Sequence, residues 1–125
     1  MLYKINMKII YPHSDEYVKS EGPGGYKREK KIIDISKFVE KLSFYHITIP
    51  KGKKSDGHYH PKSHELFYSL TPLKVRLNGT FYDLPSDTLI VTDPGDSHEF
   101  EAGETEIHYL AFMVPMNSDD KVMVS

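Results

Sequence analysis

The chain contains no cysteine. That excludes a disulfide framework and thiolate chemistry and leads us to expect an intracellular, cytoplasmic protein. No run approaches the roughly 20 apolar residues that span a bilayer, so no membrane partner is expected. The opening Met1-Leu2-Tyr3-Lys4-Ile5-Asn6-Met7-Lys8 interrupts its apolar positions with Lys and Asn, unlike a signal peptide. An excess of positive charge is also lacking: 16 Lys/Arg against 18 Asp/Glu gives −2. With no helix-turn-helix pattern either, no nucleic-acid partner is expected. Helical continuity is scarce, because eight Gly and eight Pro interrupt the 125 residues too often for a bundle.

What charge there is divides unevenly. Residues 1–62 hold 13 Lys/Arg against 7 Asp/Glu, and residues 63–125 hold 3 against 11. Two solvated faces account for this most simply. A length of 125 residues fits a single domain.

Short β signals dominate the pattern. Residues 3–11 alternate well enough for a first strand, ended by Pro12. Ser20 to Gly25 reads as a flexible loop, and Asp34 to Leu42 as a short helical turn with Ile35, Phe38, Val39 and Leu42 on one face. Strands are then expected at 44–49, 65–70, 73–77, 80–84, 88–92 and 106–114. Asn78-Gly79 between two of them is a strong type I′ hairpin signal. The tail from Asn117 reads as frayed. The organisation expected is an N-terminal strand, loop and short helix over 1–42, a β-barrel core over 43–115 and a tail over 116–125, all one domain.

Seven histidines fall at 13, 46, 58, 60, 64, 98 and 108. On an extended backbone His58 and His60 point to one face. Glu65 opens the next strand after a Pro-containing turn, and His98 follows the tight turn Asp93-Pro94-Gly95-Asp96. Imidazoles suit Zn, Fe, Mn, Ni and Cu, and a carboxylate favours harder divalent ions, so a metal site is expected here.

These residues resemble the cupins, small β-barrel jelly rolls. The family's first motif is matched by Gly52, Lys53 to Gly57, His58-Tyr59-His60, Pro61 to His64 and Glu65. Its second is matched by Thr88 to Thr92, Pro94-Gly95, Asp96-Ser97 and His98. Three turn positions depart: Pro72 and Asp87 replace glycines, and Asp93 replaces a proline. The resemblance implies an all-β, single-domain double-stranded β-helix and the metal ligands His58, His60, Glu65 and His98. His64 competes with Glu65, but the family uses a carboxylate there. The metal implied is Fe, Mn, Ni or Zn.

If Glu65 faces inward, alternation carries Phe67 and Ser69 inward, and His98 carries Phe100, as pocket walls for a small-molecule ligand. His46 and His108 are candidate catalytic acid/base groups. Lys51, Lys53, Lys54 and Lys62, with Arg28, are candidates for steering an anionic substrate. Outward Leu66, Tyr68 and Leu70 point to a homodimer, also common among cupins. The first functional expectation is a metal-dependent dioxygenase or isomerase acting on a small sugar or carboxylic acid. The alternatives are a non-catalytic sensor or structural cupin, and a metal-free sugar-nucleotide epimerase.

Overall fold

The computed structural model describes residues 18–22, 25–33, 42–114 and 121–124. Among these described residues eleven strands form: β1 (Val18–Glu21), β2 (Lys27–Ile33), β3 (Leu42–Ile49), β4 (His58–Tyr59), β5 (His64–Ser69), β6 (Leu73–Leu77), β7 (Thr80–Leu84), β8 (Leu89–Thr92), β9 (His98–Glu101), β10 (Ile107–Val114) and β11 (Val122–Met123). They make a six-stranded sheet in the order β1-β2-β3-β10-β5-β8 and a five-stranded sheet in the order β11-β4-β9-β6-β7. Every pairing is antiparallel. No helix among the described residues is long and apolar enough to cross a membrane. The expected strand at 3–11 and most of the helical turn at 34–42 lie outside the described residues; Leu42 itself opens β3.

Side-chain parity builds the core. Along β10, Ile107, Tyr109, Ala111 and Met113 are buried while the residues between them are partly exposed. β5 follows the same rule with Glu65, Phe67 and Ser69 buried. Strand register then stacks the inward residues in rows. Tyr45, Ala111, Phe67 and Ile90 form one row across four strands. Val75, Leu73 and Phe100 face them from the other sheet in the same buried cluster. Phe67 and Phe100 lie 5.0 Å apart, and Phe100 stacks on Tyr109 at 4.0 Å.

Two turns, at 78–79 and 93–96, are built as the sequence predicts. Asn78 and Gly79 take φ of 47° and 83° and close the β6–β7 hairpin, as a type I′ turn requires. The Asn78 amide then donates to Asp96 Oδ1 at 3.0 Å, and its carbonyl oxygen accepts Ser97 N–H at 2.8 Å. This hairpin thus braces the turn that delivers His98.

Two expectations need correction. Ser20 and Glu21 are not loop but the end of β1, which forms a hairpin with β2. The run Lys27-Arg28-Glu29-Lys30-Lys31 carries no alternation, and its strand state comes from pairing with the apolar β3. The tail is also not wholly frayed, because Val122 and Met123 pair with Tyr59 and His58.

Candidate metal centre

His58 and His98 are directly opposed across the β4–β9 pair. Cross-strand neighbours stand close enough for their side chains to meet. Here the rings lie 4.4 Å apart, with Nε2 to Nε2 at 3.1 Å. His60 follows two residues after His58, its ring 5.0 Å from His58 and 5.9 Å from His98. Glu65 comes from the other sheet, in the inward row Ser43–Met113–Glu65–Thr92. Its Oε1 lies 2.6 Å from His60 Nε2 and 3.3 Å from His98 Nε2. One donor atom from each of the four residues falls within 4.8 Å of all the others.

The arrangement fits a divalent ion. Donors at about 2.1 Å from a common centre stand about 3 Å apart when adjacent and about 4.2 Å when opposite. His58 Nδ1 is 3.0 Å from the Asp56 carbonyl oxygen, which can only accept, so Nδ1 carries the proton and Nε2 offers its lone pair. That lone pair faces three other donors. Glu65 Oε1 is buried and makes no well-aligned hydrogen bond. His60, Glu65 and His98 are buried, and His58 is slightly exposed, so the cluster opens on the His58 side.

Burial alone would raise the Glu65 carboxyl, but the neighbouring imidazoles of His60 and His98 reverse this and bring it to about 2. For His98, burial pushes the imidazole below its ordinary value against the pull of Glu65. Both directions leave an anionic carboxylate beside a readily neutral imidazole, the protonation state that metal binding requires. Thr92 fixes the carboxylate's backbone: its Oγ1 accepts Glu65 N–H at 3.2 Å and donates to Glu65 O at 3.1 Å.

The remaining expected residues distribute as follows. Phe67 lies 4.8 Å from the His98 ring and, with Phe100, floors the cluster as part of the core. Ser69 is inward, but its hydroxyl donates to Pro85 O at 3.0 Å and accepts Thr88 N–H at 2.8 Å, so it serves the 85–88 turn rather than a pocket. His46 and His108 do not face the cluster. Their inward neighbours are Ile47 and Tyr109, and both histidines occupy the outer face of the six-stranded sheet. There His108 contacts Thr48 Oγ1 and Glu106 Oε2, each at 3.0 Å. His64 is exposed at the rim, 3.4 Å from Asp93. Lys51 follows Ile49, six residues along β3 from Ser43 in the cluster's row, a run of about 20 Å. It pairs with Glu104 there, away from the centre, whereas Lys62 sits in the turn between His60 and Glu65. The Arg28 side chain lies outside the described residues.

Sequence reasoning missed Asp56, Tyr26 and Lys121. Tyr26 donates to Asp56 Oδ1 at 3.0 Å, and Lys121 pairs with Asp56 Oδ2. Burial disfavours the ionised carboxylate, yet His58 and Lys121 hold its pKa well below the usual range. No spacing pattern marks these residues, because two of them reach the site from separate edge segments.

No family model matches the chain, and no curated protein matches it in sequence. Solved structures do match. A predicted oxalate decarboxylase from Thermotoga maritima is 19% identical, covering 87% of this chain and all of that one, with a TM-score of 0.66. KdgF from Halomonas sp. is 18% identical over 91% of this chain and 98% of its own, at 0.68. The Streptomyces nucleoside dehydratase Pac13 is 16% identical over 94% of this chain and 92% of its own, at 0.72. These are cupin-fold proteins, and at such identities the likeness concerns architecture alone. With its two antiparallel sheets and this likeness, the chain has the fold of the cupin superfamily.

Proposed function

We propose that the protein binds one divalent metal ion, Fe, Mn, Ni or Zn, through His58, His60, Glu65 and His98, and acts as a metal-dependent enzyme on a small sugar or carboxylic acid. The observation that carries this reading is the convergence of four donor atoms within 4.8 Å, three of their residues buried. The ion would act as a Lewis acid toward a substrate oxygen. Three neutral imidazoles and one carboxylate leave a divalent ion a net positive charge, which suits an oxygen-rich ligand. His58, the most exposed of the four, marks the side of approach. Phe67 seals the opposite side against water.

A small-molecule ligand agrees with the cupin-fold neighbours, one of which is a Pac13 variant held with uridine. In this reading the chain is one domain, its barrel core spans 43–115, and it works in the cytoplasm. It forms a homodimer through the outer face of β5 and β8, where Leu89 is 56% and Val91 63% exposed. Light scattering reporting a monomer would remove that part.

The test of the metal reading is elemental analysis of protein purified without chelators and exposed in turn to Mn, Fe, Ni and Zn. One ion per chain is expected, with the metal content lowered, not abolished, by His58→Ala or His98→Ala. Protein that holds none of the four near that ratio refutes it.

A further inference from the structure

His58 stands on a short support. β4 is two residues long, paired with β9 on one side and β11 on the other. Met123 is the direct partner of His58, and Val124 N–H donates to Gly57 O at 2.9 Å. Without β11, this metal-facing histidine would sit on a two-residue edge.

The same segment supplies a charge. Lys121 pairs with Asp56 Oδ2, and the Asp56 side chain is only 3% exposed. Tyr26 donates to Oδ1 of the same carboxylate at 3.0 Å. Asp56 meanwhile turns its main-chain carbonyl to His58, accepting Nδ1–H at 3.0 Å, with Oδ1 3.6 Å from the same nitrogen. One residue therefore faces the tail with its side chain and the candidate ligand with its backbone. A buried carboxylate stripped of its cation is unfavourable and is relieved by turning toward water. Where the backbone at Asp56 moves to allow this, the carbonyl that fixes the His58 ring moves with it.

We propose that Asp56 and Lys121 are positioning residues, and that β11 is a clasp: its docking holds His58 in the Nδ1–H tautomer with Nε2 toward Glu65 and His98, and so sets the affinity for the metal. This rests on the metal reading above for its consequence, though not for its geometry. Partners that orient a metal-binding histidine typically change affinity by about 10- to 100-fold.

The test uses the full chain and Co²⁺, a spectroscopic probe that lies between Fe and Ni in affinity order. Lys121→Met is expected to weaken Co²⁺ binding about 10-fold. Lys121→Arg, which keeps the charge, stays within about threefold of wild type, a loss well below that second-sphere range. In a His58→Ala background, Lys121→Met changes nothing further, because its effect runs through that ring. Val122→Pro, which breaks the β11 pairing while leaving Lys121, reproduces the Lys121→Met result. A metal-free readout accompanies these: nitrogen-15 spectra of the imidazoles show His58 as a single Nδ1–H tautomer in wild type and as a mixture in Lys121→Met. The proposal is overturned if Lys121→Met keeps both the wild-type affinity and the single tautomer, or if affinity falls equally without His58. A tautomer mixture already present in wild type overturns it as well. Wild-type protein that takes up no Co²⁺ sinks the metal reading alone, and the tautomer comparison then decides the clasp.

Discussion

Glu65→Gln separates the charge of the candidate ligand from its volume. The carboxyl is 5% exposed, and its neighbours hold it at about 2 against an ordinary 4.5. At about 1.36 kcal/mol per pH unit, that difference is worth about 3 kcal/mol of folded-state stability. Because the folded value is the lower one, the contribution is fully present above pH 4.5 and disappears as pH falls through 2. In metal-free protein at pH 7, Glu65→Gln should therefore cost about 2–3 kcal/mol, part of the charge term being recovered by amide hydrogen bonds. At pH 3 less than half of that gap should remain, since protonated glutamate resembles glutamine. Denaturant titrations of both proteins in chelator at pH 7, 5 and 3 measure it. A gap that stays constant across that range, or no gap at pH 7, would refute the electrostatic account of the cluster.

Four further outcomes follow from the same geometry. Divalent metal at about 100 times its dissociation constant should stabilise the protein by about 2.7 kcal/mol, raising Tm by roughly 10 °C, and a chelator should reverse this. His108→Ala should leave the metal-to-chain ratio unchanged in elemental analysis, because that ring sits on the outer face bonded to Thr48 and Glu106. Phe67→Ala should cost about 3–5 kcal/mol in denaturant titration, since the ring is buried against Phe100, Tyr109 and His98. Gly79→Ala should cost about 1 kcal/mol or slightly more: a Cβ there meets no atom within 4 Å, so the penalty is the φ of 83° alone.

The barrel was legible where one strand face meets the core and the other meets water. β5, β6 and β10 alternate, and Asn78-Gly79 permits little but the hairpin observed. β2 was not legible, because Lys27 to Lys31 become a strand only by lying along β3. β11 hid for a related reason: two residues carry no period, and their pairing depends on where β4 lies. His46 and His108 show the limit of parity. Phe44/His46/Thr48 and Tyr45/Ile47/Ile49 are both apolar enough to be inward, and only register with β10 places the histidines outside.

The departures at turn positions show why the candidate ligand cluster survives them. Asp87 stands where the cupin pattern has a glycine, and it takes a left-handed backbone of the kind glycine adopts most readily, with φ of 63°. Aspartate tolerates this region better than most residues with a side chain. Its carboxylate also accepts a hydrogen bond from Tyr68 at 2.7 Å, and its N–H reaches Ser69 O at 2.9 Å. The turn keeps its course, so β8 enters in register and Thr92 arrives opposite Glu65. Gly95 needs no substitute: it keeps a φ of 94°, and its N–H donates to His60 O at 2.9 Å, tying the turn before His98 to a second member of the cluster. What the site demands of its turns is therefore a backbone path rather than a residue type. Sequence motifs record that path faithfully only where glycine alone can follow it.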